Sequence, residues 1–550
     1  MFRKEEPIQM NMNDRMLTAN DQTLTAVNGS RAKIVGDVIY PNIDESKFAS
    51  FFSEKNSRPN ILIRRYVAAL LLKRVYMLSD ANFFEFLRSG ALNLQYALHT
   101  TQEDKQPLSE SSLRRFRRNI ENYNKEHDCD LLKEEYQRIS RSMAVDMGLL
   151  PADPSCGDDD FQAVIVRMDS MEIESHAKAM GRMEIIYTAN IILIRYLLKK
   201  DFKEIIPEEL SHYYKKGDKN RIIYHRQKED KEAGRKDTRL QELVNEMVCL
   251  NDVMQHNFTE AFLSEIPEYK TFQRVFDEQT IINAEGKCAP KANKDISANS
   301  VQNPFDTNAT YRNKRGPHHG YVMNVAEAVD DKGNGIVIDA DIDCNTVSDT
   351  ELEKRYLERQ PDGGNRQILS GDGAYNSEEI EKLANEKNVS VQTTSLTGQK
   401  PYDIDADFKL SEDGQSVISC PKGYAPTKCK YNAKTGMIKA EMPGNCCASC
   451  PHRDECNIFT NKSKTKTEIH ISERMIRRSR QARSFSTEEG QKNARRRNGV
   501  EGIMSVMRRK YHIDSLPVFG MARAKDWIWM TLLAYNISKY LKFQKMALAS

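Results

Sequence analysis

Two stretches of this chain end an apolar, strand-forming run on a carboxylate, and they restrict its fold more than anything else in it. In the first, Ala163-Val164-Ile165-Val166-Arg167-Met168-Asp169-Ser170, a buried strand closes at Asp169. In the second, Gln367-Ile368-Leu369-Ser370-Gly371-Asp372-Gly373-Ala374-Tyr375, the run stops at Gly371-Asp372-Gly373. Asn376 and Ser377 then offer caps for a helix through Glu378, Ile380 and Leu383. Strand, tight turn and helix put Asp372 at the carboxyl end of a strand, where an open α/β sheet presents its functional groups. The glycines beside it admit another backbone. Taken singly, each aspartate is as readily a loop cap as a metal ligand.

The surrounding pattern supplies the rest of a sheet. Gly320 to Ala326 and Gly335 to Ala340 read as strands joined by the turn Asp331-Lys332-Gly333-Asn334, a hairpin. A helix through Leu352 and Tyr356 leads into the Asp372 strand, and Val389 to Thr393 is another strand. Three strands, then helix, strand, helix, strand describe a mixed α/β sheet with helical crossovers. Residues 1–45 read as a polar arm. Residues 46–150 read as a helical N-terminal domain: one stripe is Val67, Leu70, Leu71, Val75 and Leu78, and a second helix is capped by Ser79 and ends at Gly90. A third starts near Ser109 to Ser112, with Leu113, Phe116 and Ile120 inside and Arg114, Arg115, Arg117 and Arg118 on the other face. This is a loose helix-turn-helix pattern, with a helical dimerisation domain as the alternative. Residues 176–302 read as a charged helical insertion and 396–485 as a Cys-rich basic insertion, leaving 160–175, 303–395 and 486–550 for the sheet core. In the last segment Ser486 and Glu489 suggest a capping box. Val500, Ile503, Met504 and Met507 form a buried stripe, and a final helix spans Trp527 to Phe543.

A length of 550 residues exceeds one core. Hydrophobic content of 39% beside 29% charged residues is that of a soluble globular chain. The longest apolar run, Val67 to Leu72, is far too short to span a bilayer, and the first residues lack an apolar signal region, so a reducing cytosol is expected. Net charge is only +3, but cations crowd between Lys462 and Lys510 and at Arg114 to Arg118. Local basic tracts on a near-neutral chain fit a polyanion at defined sites; the plainer reading is a solvated helix face. Six of the eleven cysteines fall between Cys420 and Cys456. Cys447 and Cys450 have C-x-x-C spacing, Cys456 follows, and Cys420 sits in an upstream turn. Four thiolates from two turns suit a structural tetrahedral Zn²⁺; Cys429, Cys446 and His452 are substitutes, and reduced thiols are the alternative.

Glu501 lies beside the buried stripe of its helix, with Arg497 four residues before it and Arg508 seven after, roughly on one face. An ion-pair ladder would use the same spacing. Gly499 and Gly502 argue otherwise, since each costs about 1 kcal/mol in a helix and leaves a bare surface for a close neighbour. Asp169 and Asp372 on neighbouring strands would repel unless a cation lay between them. Hard oxygen ligands suit two Mg²⁺ or Mn²⁺ ions, completed by a third carboxylate from a helix on the sheet.

Asp169, Asp372 and Glu501 on strand, strand and helix resemble the catalytic triad of bacterial insertion-sequence DDE transposases with a ribonuclease H-like core. Met168-Asp169-Ser170, Lys314-Arg315-Gly316 followed by Gly320-Tyr321, Gly371-Asp372-Gly373-Ala374-Tyr375, and Arg497, Glu501, Arg508 in their spacing are similar to that family's strings in order. Two positions depart: Ala494 stands where the family has Tyr, and Arg508 where it has Lys. Arg58-Pro59 and Ser112 to Arg117 resemble its N-terminal domain. The resemblance implies that Asp169, Asp372 and Glu501 hold the divalent ions. Arg497 and Arg508, with Arg114, Arg115, Arg117 and Arg118, would contact DNA. It further implies a partner of double-stranded DNA bearing terminal inverted repeats, a homodimer for synapsis, a place on cytoplasmic nucleoid DNA, and no membrane. A decayed or domesticated DNA-binding relative, or a metal-dependent nuclease without strand transfer, are the competing readings.

Overall fold

The computed structural model describes residues 17–52, 60–100, 107–152, 163–215, 223, 235–314, 316–371, 378–393, 401–456, 458–460 and 467–549. Part of the expected polar arm is helical. α1 (Asp21–Asn28) precedes a short helix, Arg31–Ile34, that continues as a π turn over Val35–Ile39. Ala32, Val35 and Ile39 are fully buried; a stripe of two turns in a polar stretch is too short to register as a period. α2 (Ile63–Val75), α3 (Asp80–Arg88), α4 (Leu92–Ala97) and α5 (Glu110–His127) follow. Ser79 caps α3 by accepting from the Asn82 amide at 3.1 Å, and Ser109 and Ser112 cap α5 reciprocally. Leu113, Phe116 and Ile120 are buried as their spacing requires. α6 (Leu131–Asp146) completes this part.

β1 (Val164–Glu174) opens the central sheet. The chain then leaves it for a helical excursion, α7 (Arg182–Lys199), α8 (Arg235–Asn257) and α9 (Pro267–Gln279), around its own hydrophobic cluster. It returns as β2 (Thr310–Asn313), β3 (Pro317–Val329) and β4 (Gly335–Cys344), crosses through α10 (Asp349–Glu358) to β5 (Gln367–Gly371), and through α11 (Glu378–Glu386) to β6 (Val389–Thr393). Among the described residues the sheet has six strands, in the order β2-β3-β1-β5-β6, with β4 also paired to β3. β3 is antiparallel to β1, β2 and β4, whereas β5 is parallel to both β1 and β6. Parallel neighbours need crossovers, and the helices supply them. This is the ribonuclease H-like arrangement. The hairpin turn falls where expected, with Gly333 in the left-handed region at φ +82°.

Beyond β6, β7 (Lys428–Asn432), β8 (Met437–Met442), β9 (Ile458–Thr460) and β10 (Thr467–Ile471) build a small antiparallel sheet in the order β7-β8-β10-β9. α12 (Glu473–Ser486), α13 (Glu488–Asn498), α14 (Val500–Tyr511) and α15 (Met521–Ala549) follow. The expected capping box at Ser486 is displaced by one residue: Ser486 ends α12, and Thr487 caps α13 by accepting from the Gly490 amide at 3.0 Å. α6 and α15 close together over β4. Asn536 donates to Ser140 Oγ (2.9 Å) and to the Val337 carbonyl (2.8 Å), and Trp529 donates to Asp130 (2.8 Å). On β4 itself Asp339, Asp341 and Asp343 alternate along one face and are each held by cations, from Arg359, Lys133 and Arg355. Among the described residues no helix is long and apolar enough to cross a membrane.

Candidate active site

Alternation along β1 sends neighbouring side chains to opposite faces. Arg167 and Asp169 point toward α13 and α14. Ser170 points the other way and donates to Asp349 Oδ1 at the start of α10 (2.6 Å). Asp169 is about one-fifth exposed, and its Oδ2 lies 3.5 Å from Arg497 Nη2 on the last turn of α13. Its Oδ1 accepts from the Ser170 amide at 2.9 Å. Lys314 reaches Asp349 Oδ2 at 3.6 Å from the segment before β3.

A buried pair sets this face. Arg167 and Glu327 are register partners across β1 and β3; they are hydrogen-bonded, and both are almost wholly enclosed. Burial pushes the Glu327 carboxyl up, against the pull of Arg167. Arg167 Nη1 also donates to the Arg496 carbonyl at 2.6 Å, which fixes the end of α13 over β1. A Cβ on Gly499 would collide with that guanidinium, and one on Gly335 with the Glu327 carboxylate.

Glu501 stands in the first turn of α14, exposed. It follows Arg497 by four residues across the junction of α13 and α14 at Gly499, so the single helix face expected for Arg497, Glu501 and Arg508 is divided between two helices. Asp169, Arg497 and the start of α14 still converge. A Cβ on Gly502 would meet nothing within 4 Å, so the surface beside Glu501 is open. Arg508 is exposed in the last turn of α14. Asp372 lies outside the described residues, as do Gly373 to Ser377 and Arg315. The last described residue before Asp372 is Gly371, and the preceding Ser370 is the register partner of Arg167.

Of the four α5 arginines, Arg114, Arg115 and Arg118 are exposed, and Arg114 pairs with Glu110 at 2.7 Å. Arg117 departs from the expected outer face. It turns inward and takes both oxygens of Asp80, at 3.0 and 2.9 Å, because its position falls on the flank of α5 that packs toward α3.

In the small sheet, Cys420, Cys446, Cys447, Cys450, Cys456 and His452 surround one cavity of about 20 Å³. Burial, then Asp405 and the neighbouring thiols, push the Cys456 thiol up to about 12, and burial with the adjacent thiols raises Cys447. Among the described residues, no three His, Cys, Asp or Glu side chains stand close enough together to hold a metal ion. Sequence reasoning passes over Glu327 and Asp349, and it names Arg167 and Lys314 only within longer strings, without a role. Arg167 has one signal, its place two residues before Asp169 on the same face of a strand.

A family model described as a transposase DDE domain matches residues 419–541, and one described as a transposase domain (DUF772) matches residues 25–119. The first span contains Arg497, Glu501, Arg508 and the cysteine cavity; the second contains Arg114 to Arg118. No curated protein and no solved structure gives a match.

Proposed function

From a chain of the insertion-sequence DDE transposase family, matched both in its N-terminal helices and in its last ones, we propose an enzyme that cuts and joins the ends of its element by divalent-metal phosphoryl transfer. The expected strand end at Asp169 is instead mid-strand, since β1 runs on to Glu174. The observation that carries this reading is the meeting of Asp169, just past the pairing of β1 with β5, with Arg497 on the helix before the one that bears Glu501. A partly exposed carboxylate such as Asp169 fits a hard divalent ion in donor type. Asp169, Asp372 and Glu501 would hold two Mg²⁺ or Mn²⁺ ions. Bound there, such ions supply an activated water or 3′-hydroxyl and charge relief at the leaving oxygen.

The chain's own residues do the positioning. Arg497 faces Asp169 from the end of α13, and Arg508 is exposed in the last turn of the next helix, α14; both would act as positional charges toward phosphates. Arg167 holds the α13 end in place through the Arg496 carbonyl. Ser170, tied to Asp349, steadies the strand segment that presents Asp169. The first reaction is hydrolysis at the element's ends, and the second is attack of the freed 3′-hydroxyl on target DNA, both on duplexes with terminal inverted repeats held by a homodimer. Five thiols and His452 line one cavity; Cys420, Cys447, Cys450 and Cys456 would hold a structural Zn²⁺ by donor type, after closing in from separations that are too wide for ligation in this structure.

Purified protein mixed with labelled terminal-repeat DNA and Mg²⁺ tests the reading. Nicked and joined products are expected, and Asp169→Asn and Asp372→Asn should each abolish them while leaving DNA binding intact. Binding without nicks selects a DNA-binding relative, nicks without joined products select a nuclease, and normal cutting by either variant removes that aspartate from the site.

A further inference from the structure

A second feature lies away from β1 and α14. A cleft of about 800 Å³ opens between α2, α3, α5 and the first turns of α15. Lys73 and Arg74 of α2, the four α5 arginines and Arg523 of α15 line it, against the carboxylates of Asp80, Glu121 and Asp526. Among the described residues, seven basic side chains thus face three acidic ones.

The pairing inside is uneven. Lys73, only 6% exposed, touches Asp80, and the same carboxylate takes both Nη atoms of Arg117. One acid therefore serves two enclosed cations. Arg74 lies 5.0 Å over the Trp527 ring and donates to the Leu78 carbonyl at 3.3 Å. Arg523 is 63% exposed and only loosely near Glu121, at 3.7 Å. Burial and the guanidiniums of Arg117 and Arg74 pull the Lys73 ammonium down to about 6. Burial, with Asp130 and Glu121 nearby, pushes Asp526 up to about 8, so it offers little counter-charge at neutral pH. The two shifts have different causes: Lys73 is buried among like charges, whereas Asp526 is buried beside other acids. Asp80 is thus spent on the enclosed groups, and a half-closed wall focuses the field of the exposed arginines on an incoming anion.

The geometry points to a clamp for the sugar–phosphate backbone of DNA, in which α5 and α15 grip one bound duplex from the two sides of this cleft. A lone small anion would need one or two of these cations. Exposed arginines on two separate elements, rimming a cleft this large, match a chain of phosphates. The clamp rests on the transposase reading. It adds that the N-terminal helices and the helix following the catalytic segment bind DNA jointly.

The test is the salt dependence of affinity for a fluorescein-labelled mixed-sequence DNA duplex, measured by anisotropy without divalent metal. Each lost phosphate contact lowers the log–log slope by about 0.9. Arg523→Ala and Arg118→Ala should each weaken binding and lower the slope by about that amount. Lys200→Ala, an exposed cation on the helical insertion, should change neither. Unchanged slopes for both arginine variants, in a protein that still binds and cuts DNA, overturn the clamp alone. A protein that neither binds nor cuts DNA overturns the transposase reading and the clamp with it. Loss of slope in Arg118→Ala but not in Arg523→Ala confines DNA to α5 and rejects the joint grip.

Discussion

Gly499 and Gly502 carry opposite meanings three residues apart. Both look like costs in a helix, and both suggest a bare surface for something close. At Gly499 the close neighbour is the chain's own Arg167, which no local pattern reveals because it depends on how α13 lands on β1. Gly502 faces open space. Gly499→Ala should therefore destabilise the protein by about 1–3 kcal/mol, as overpacking does. Gly502→Ala should stabilise the uncomplexed protein by about 1 kcal/mol through helix propensity, yet slow nicking if DNA comes up against that face. Urea unfolding beside a nicking assay reads both effects. Full nicking by Gly502→Ala would mean that its bareness serves no DNA contact. The buried partner pair should behave asymmetrically: Glu327→Ala strands a buried guanidinium and should cost about 3–5 kcal/mol, more than replacing both residues by apolar ones of similar size.

At the level of elements, the strands that present the site are legible in the sequence, since apolar runs bounded by turn residues are their direct signature: β1, β3, β4, β5 and β6 all overlap those runs, but β1 continues past Asp169 to Glu174 because its antiparallel pairing with β3 extends that far. The failures have physical causes. α12 hides inside a tract whose arginines look like solvated coil. Arginine is a good helix former, Ser472 caps the helix through the Met475 amide (3.3 Å), and Arg483 is met by Asp403 and Asp407 from a distant turn. β7 and β8 are obscured by lysines on their outer face, where Lys430 and Lys439 stand directly opposite each other. Asp349 has the look of an ordinary helix start, although α10 delivers it to Ser170. The same helix carries Glu353, 1% exposed with Oε2 unpartnered among the described residues, and burial pushes its carboxyl up to about 9. An acid whose pKa is raised on folding holds a proton that the unfolded chain releases. Stability should therefore fall as pH rises from the unfolded value of 4.5 toward about 9, by up to about 1.4 kcal/mol per pH unit, and level off above. Glu353→Gln should flatten that slope relative to the parent protein in unfolding measured across the window. Parallel slopes for the two would show that Glu353 ionises freely.

For the whole molecule, the hydrophobic clusters redraw the segments suggested by sequence. One cluster runs from the N-terminal helices through the central sheet to α15, a second lies within the helical insertion, and a third lies in the cysteine-bearing sheet. Residues 46–150 therefore do not pack as a detached unit: α6 shares its buried face with α15 and β4. The third cluster is different. Among the described residues it contains nine buried ones, a small core, and small units commonly need a staple. The thiols around the 20 Å³ cavity are the staple on offer. Purified protein should carry about one zinc ion per chain by elemental analysis. Removing it with a strong chelator, or replacing Cys447 and Cys450 by serine, should melt this sheet at a lower temperature as a separate calorimetric transition. The main transition, belonging to the large cluster, should stay where it was, because none of these cysteines belongs to that cluster. Zinc-free protein with the same calorimetric profile would leave the nine-residue core standing without a staple and remove the metal from the account. A single transition that shifts as one would show instead that the small sheet and the catalytic body unfold together, with zinc stabilising both.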